Sequence, residues 1–252
     1  MDSVDSKENN DYFINENKLC YIINNEEFDP KLNLSVRSGT QRDFEKLKAL
    51  FRKLGFTVEN HKNCTADMML KNLEEISQRK NLKDYSMFVC FILSHGDEGI
   101  IYGRDNFIQI DRLLGYFKGE KCKGLVGKPK LFFIQACRGD RFDKGIFADA
   151  GDSNNIEKIP IEADILVGYS TVPGYFSWRN SSNGSWYVQA LCNEFEKNAK
   201  SDDVVSLLVR VNANVASNFK SNTGEKQSHG KLQIPSFTCM LRKRVWLIED
   251  HK

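Results

Sequence analysis

No two cysteines in this 252-residue sequence stand at C-x-x-C spacing, and none of its four histidines lies four residues from another. Neither a zinc ribbon nor a thioredoxin-type redox pair is written here, so no metal and no cofactor are expected. Charge of one sign is not in excess either: 36 Lys+Arg stand against 34 Asp+Glu, a formal net charge of +2. A general binder of nucleic acid or membrane surfaces would carry a basic excess on some segment, so neither partner is expected. Long apolar runs are missing. Met87–Leu93 and Lys130–Ala136, the longest with their flanks, stop far short of the ~18–20 residues that span a bilayer. The opening MDSVDSKENN is acidic and polar, unlike a secretory signal or an Arg-rich transit peptide, which predicts a soluble protein, cytoplasmic or nuclear. No internal repeat is visible.

What is present is ordinary for a folded protein: 40% hydrophobic and 28% charged residues, in a chain long enough for one or two domains with a large core. The cysteines are Cys20, Cys64, Cys90, Cys122, Cys137, Cys192 and Cys239. Their odd number and the lack of a secretory signal predict reduced, mostly buried thiols rather than a disulfide framework.

Residues 1–16 hold five acids and few apolar side chains and read as a disordered tail. Leu19–Ile23 reads as a buried strand. Thr40 followed by Asp43 has the form of a capping box, and Phe44, Leu47, Leu50, Phe51 and Leu54 recur at helical spacing up to Gly55. A brief strand is expected at Phe56–Val58. Thr65 can cap a second helix with Met69, Leu73 and Ile76 on its apolar side. Met87–Leu93, Lys130–Ile134 and Ala163–Tyr169 are apolar on both faces, as central parallel strands are. Helices are predicted at Ile110–Phe117, around Trp186–Phe195 and around Val204–Phe219. A loop is predicted over 138–158, and last strands at Ser236–Leu241 and Val245–Ile248. Strands alternating with amphipathic helices predict an α/β sheet covered on both faces.

Four polar segments follow these strands: Ser35–Thr40, Ser94-His95-Gly96, Gln135–Gly139 and Thr171–Asn180. If the strands are parallel, all four meet at the carboxyl edge of the sheet, where open α/β folds bind ligands. Taken singly, Cys137, His95, Arg37 and Arg179 have ordinary roles open to them in packing or on a solvated surface. The convergence of a Cys, a His and two Arg at one edge is what points to a site.

Gln135-Ala136-Cys137-Arg138-Gly139 matches the caspase active-site signature at every position. Ser94-His95-Gly96, Ser35-Val36-Arg37-Ser38-Gly39-Thr40 and Ser177-Trp178-Arg179-Asn180 also resemble caspase segments, in the family's order. The resemblance runs from about Leu19 to Ile248, and the short tail before it resembles the executioner type. It implies a three-layer α/β/α sandwich with a mostly parallel central sheet. It also implies a division into a prodomain (1–16), a large subunit (17–149) and a small subunit (150–252), with a linker at about 140–158. The implied function is an Asp-specific cysteine endopeptidase that executes programmed cell death and is made as a zymogen.

By that resemblance Cys137 is the nucleophile and His95 its acid–base partner. The backbone N–H groups of Gly96 and Cys137 hold the oxyanion, and a carbonyl near Ser35 helps orient the imidazole. Arg37, Gln135 and Arg179 receive the substrate aspartate. Ser177, Trp178, Asn180 and Trp186 line the substrate groove. Two arginines suit a carboxylate because guanidinium donors match it bidentately.

Asp149, before Ala150, is the expected activating cut, made by an upstream caspase or by the protein itself. Asp152 is a second candidate, and Asp5 closes an Asp-x-x-Asp run that executioner caspases cut. Other implied partners are protein substrates, inhibitor proteins and a second large/small pair in a homodimer joined near Ser236–Leu241. The chain departs from the executioner pattern at 220–229, which holds no aromatic residue. A catalytically silent homologue acting as a regulatory partner is the alternative reading, but Cys137, His95 and both arginines are all present. A Cys–His hydrolase of another class is disfavoured by the paired arginines.

Overall fold

The computed structural model describes residues 10–139, 162–223 and 228–248. Along the chain, β1 (Lys18–Asn24) is followed by α1 (Thr40–Lys53), β2 (Thr57–Lys62), α2 (Ala66–Ser77) and β3 (Met87–Leu93). A three-stranded sheet, β4 (Gly96–Asp97), β5 (Ile100–Tyr102) and β6 (Phe107–Gln109), leads into α3 (Ile110–Leu114). Then come β7 (Lys130–Gln135), β8 (Ile165–Tyr169), the short pair β9 (Arg179–Asn180) and β10 (Gly184–Ser185), α4 (Trp186–Asn198), α5 (Val204–Asn218) and β11 (Ser236–Cys239).

The main sheet has six strands in the order β11-β8-β7-β3-β1-β2, all parallel except β11. Residues on both sides of the expected subunit boundary therefore build one sheet. The boundary itself, 149/150, lies outside the described residues.

The central strands show no polar/apolar alternation because both faces are buried. On β3, Met87, Val89, Phe91 and Leu93 enter a core shared with α1, α4 and α5, while Phe88, Cys90 and Ile92 enter one shared with α2 and α3. Aromatic rings stack through each layer: Phe91 lies on Phe133 at 4.9 Å and Phe88 on Phe117 at 4.6 Å. Each such side chain contributes about 1.5–3 kcal/mol by leaving water.

Several expectations need correction. Residues 10–16 are not part of a free tail: Tyr12 and Ile14 are buried, and Asp11 bridges to Arg244. Tyr12-Phe13-Ile14, with Phe13 exposed between the two buried side chains, is too short a run to give a periodic signal. The capping box does not form. Gly39 occupies the N-cap of α1, and the Thr40 hydroxyl instead accepts from Arg37 Nη1 and donates to Asn24 Oδ1, both at 2.7 Å. Thr65 does cap α2, accepting from the Met68 N–H at 3.2 Å. The helix expected at Ile110–Phe117 is α-helical to Leu114 and then tightens into a 3-10 turn. Val245–Ile248 is not a strand. Val245 and Leu247 are buried, but the Val245 carbonyl accepts from the Val204 N–H at the start of α5 rather than from a sheet. Among the described residues, no helix is long and apolar enough to cross a membrane.

Candidate active site

Parallel register decides where the reactive groups emerge. Leu93 on β3 pairs with Gln135 on β7. Two residues further along each strand, His95 and Cys137 leave the carboxyl edge side by side. Both line a cleft of about 160 Å³, together with Ser35, Ser94, Gln135, Phe176, Ser177 and Arg179.

His95 is held from two sides. Its Nε2 lies 2.8 Å from the Ser35 carbonyl oxygen, and its ring packs on Phe28 at 4.9 Å between centroids. A carbonyl only accepts, so Nε2 carries the proton and Nδ1 keeps a free lone pair. Burial, aided by Arg37 and Arg179, lowers the imidazole pKa to about 4, while the Ser35 contact opposes this. Burial raises the Cys137 thiol pKa above its usual value, opposed by its contact with the Ser177 carbonyl and by the two arginines. The resting site is therefore a neutral thiol beside a neutral imidazole rather than an ion pair.

Gly96 passes against the nucleophile's own backbone. A Cβ there would stand 2.8 Å from the Ile100 oxygen, 2.9 Å from the Ala136 Cβ and 3.1 Å from the Cys137 oxygen. Only glycine permits this approach, which sets the backbone of residue 96 beside that of Cys137.

The two arginines meet because the Ser35–Thr40 loop crosses the β9–β10 hairpin, with Arg179 Nε donating to the Ser38 oxygen at 3.0 Å. Arg37 is fully buried. Its Nη1 donates to the Asn25 carbonyl at 2.9 Å and to Thr40 Oγ1, whereas Nε and Nη2 have no partner in the protein. Desolvation and then the like charge of Arg179 lower the Arg37 pKa to about 9, which still leaves it charged at neutral pH. Gln135 Nε2 donates to Ser177 Oγ at 2.8 Å, and its Oε1 is likewise buried and unpaired.

The remaining expected groove residues fall into two groups. Trp178 stacks on Trp186 at 5.5 Å, with Phe176 and Phe219 extending the aromatic row at either end. Asn180 is turned to its own hairpin, where Oδ1 accepts from the Ser182 and Asn183 N–H groups; like Trp178 and Trp186 it stands outside the residues that line the cleft beside Cys137.

Three supporting residues escape a sequence reading. Gln233 accepts from the Trp178 N–H at 2.7 Å and donates to the Ser170 carbonyl at 2.6 Å. Asp43, read as a capping residue, accepts from Ser185 instead. Asn25 accepts from the Cys64 N–H and donates to the Tyr102 carbonyl, anchoring the carbonyl that holds Arg37. Each is one polar residue among many, and only its partner, distant in sequence, marks it. Asp5, Asp149 and Asp152 lie outside the described residues.

Comparison with known proteins places this arrangement. The model of the caspase domain matches residues 17–246. Caspase-7 of Gallus gallus is 44% identical over 245 residues, covering 93% of this chain and 79% of that protein. Caspase-3 of Felis catus is 44% identical over 230 residues, covering 90% of this chain and 83% of its own length. The crystal structure of caspase-1 from Spodoptera frugiperda superposes with a TM-score of 0.89 at 36% identity, covering 98% of this chain and 96% of that one.

Proposed function

We propose, from the fact that this chain belongs to the caspase family of cysteine proteases, that it is an effector endopeptidase that cuts proteins after aspartate in programmed cell death. The observation that carries the reading is the pocket beside Cys137. Arg179 and Gln135 line it, Arg37 is buried close enough to act electrostatically on both Cys137 and Arg179, and buried N–H groups of Arg37 and the side-chain carbonyl of Gln135 are left without a protein partner. Buried polar groups are ordinarily paired, so unpaired donors beside a nucleophile mark a place for a ligand carboxylate.

In this reading the substrate's aspartate enters between Arg37 and Arg179 and brings its carbonyl carbon to Cys137 Sγ. A free thiol is only a few per cent ionised at neutral pH, and burial here disfavours the thiolate further. His95, neutral and with Nδ1 free, takes the thiol proton as sulfur attacks and then delivers it to the departing amine. The Gly96 and Cys137 N–H groups receive the developing oxyanion, and such a donor is typically worth about 3–4 kcal/mol in the transition state. The acyl group leaves Cys137 as a carboxylic acid when water attacks the thioester. Asparagine, equal in shape but neutral, leaves the pocket's positive charge and the open N–H groups of Arg37 unmatched and is rejected.

The same specificity supports activation by cleavage after Asp149, with Asp152 as a second site and Asp5 as a site of tail removal. The outer edge of β11 is a candidate seam for a second copy, since an uncovered edge strand invites pairing.

The test is a peptide aldehyde or ketone ending in Asp, incubated with the protein. Covalent labelling of Cys137, with fragments ending at Asp5 and Asp149 in the mass spectrum, is the expected result. Absence of labelling, or equal labelling by the Asn analogue, would overturn the proposal.

A further inference from the structure

Asp43 sits in the first turn of α1, buried beneath the arginine pocket, and takes no part in the chemistry above. Its Oδ1 accepts from the Ser185 N–H at 2.8 Å and its Oδ2 from the Ser185 hydroxyl at 2.5 Å. Ser185 on β10 pairs directly with Arg179 on β9. The hairpin closes tightly on the carboxylate: Gly184 has φ +89°, and a Cβ there would stand 2.2 Å from Asp43 Oδ1. One buried carboxylate thus holds the strand pair that carries Arg179, through hydrogen bonds strengthened by its charge.

The electrostatics point the same way. Arg37 and Arg179 repel each other, and Asp43 exerts the largest opposing influence on both, ahead of Cys137 and Glu26. The groups facing Asp43 are these two arginines, Ser185 and, from α4, the Cys192 thiol. Lys46, on its own helix, reaches instead towards the Asn183 carbonyl. Two guanidiniums and one carboxylate leave a single net positive charge, which one incoming carboxylate cancels.

We propose that Asp43 is the positioning residue of the arginine pocket, fixing the Arg179 hairpin through Ser185 and supplying the internal countercharge that matches the pocket to one substrate carboxylate. This rests on reading that pocket as the site for a substrate aspartate. Without the carboxylate, Arg179 is released towards solvent and substrate loses one of its two clamps.

The test measures kcat and KM from about pH 5 to about pH 8 on peptides with Asp or Asn at the cleaved position, spanning the carboxylate's titration. It uses the full chain as wild type, Asp43→Asn and Ser185→Ala, each normalised by titration of reactive Cys137. Burial raises the Asp43 pKa to about 6, so KM of the wild type should climb as pH falls through that value and the countercharge is lost. Asp43→Asn should raise KM about tenfold at neutral pH, the weight of one charged hydrogen bond, with kcat within about twofold. It should also abolish the acid limb of KM. Ser185→Ala removes a bond that favours the carboxylate form, so its acid limb should move to higher pH.

A purely structural role would lower the folded fraction and leave KM of the titrated sites unchanged. An unchanged or lower KM in Asp43→Asn, or an acid limb that survives in it, overturns the inference. Should that variant not fold, an unmoved limb in Ser185→Ala does so. A wild type that cuts the Asn peptide as well as the Asp peptide defeats the reading of the pocket, and this inference with it. Asp selectivity in the wild type with no change in the variants defeats the inference alone.

Discussion

Both edges of the central sheet bury charged residues, and they treat them in opposite ways. At the amino edge every buried charge is saturated. Lys18 Nζ donates to the Leu54 and Leu247 carbonyls at 2.7 Å, and Lys130 Nζ to those of Leu125 and Lys128 at 3.0 and 2.9 Å. Asp164 accepts from Tyr12 Oη at 2.6 Å and from Arg242 through two nitrogens at 2.9 and 3.0 Å. At the carboxyl edge Asp43 is paired through Ser185, but other buried groups keep atoms open. Among the described residues, the buried side-chain atoms without a partner are Asn24 Nδ2, Arg37 Nε and Nη2, Gln135 Oε1, Arg138 Nε and Tyr187 Oη. All but the tyrosine belong to this edge. Each such atom costs about 1–3 kcal/mol when nothing satisfies it. One edge therefore pairs its buried polar groups within the protein, and the other leaves several without a protein partner.

The largest effect that would break this contrast lies at the open edge. Arg37→Lys keeps the charge but removes the fork that satisfies Asn25 and Thr40 on one side while facing the pocket on the other. We expect kcat/KM on an Asp peptide to fall about 100-fold or more, with the unfolding temperature lowered only as far as the loss of one or two buried hydrogen bonds requires. Unchanged kcat/KM would show that the open donors are not the recognition device.

Asp164→Asn tests the saturated edge. Asparagine tolerates the positive φ of 66° found there, so the change isolates the charge. Removing one partner of a buried ion pair should cost about 3 kcal/mol in denaturant unfolding. Turnover per titrated Cys137 should stay within about twofold. A comparable loss of turnover would mean that the two edges are coupled.

The effect that emerges only gradually, across a pH window, concerns His95. The imidazole pKa of His95 falls from its usual 6.5 to about 4 in the folded chain, so between those values the unfolded chain binds more protons and stability falls as pH falls. Asp43 acts oppositely: its pKa is raised from 3.8 to about 6, so over that range its contribution weakens as pH rises. His95→Gln should therefore gain stability relative to wild type as the solution is acidified from 6.5 towards 4. A constant difference across that window would show that His95 is not held neutral by burial.

Much of this was legible in the residues. The two-face apolar runs at Met87–Leu93 and Lys130–Ile134 became β3 and β7, and the polar segments after them reach the common edge that parallel pairing requires. Thr65 was readable as a cap because the cap is local. Thr40 and Asp43 form no capping box for the complementary reason: the Thr40 hydroxyl is taken by Arg37, three residues away, and by Asn24 on β1, and the Asp43 carboxylate by the distant Ser185. Nothing within residues 1–16 marks Tyr12 as buried, because its partners, Asp164 and Arg242, stand more than a hundred residues along the chain.

Local chemistry determined which elements form and which side chains can react, since helix and strand periods, caps and a thiol within a five-residue signature depend only on near neighbours. Tertiary structure alone decided the states of those side chains. Register set His95 beside Cys137, and burial made both neutral. The crossing of two distant loops brought like charges together over one carboxylate. Charge, protonation and pairing depend on what surrounds a group in three dimensions, and for Arg37, Asp43 and His95 those surroundings come from segments remote in the chain.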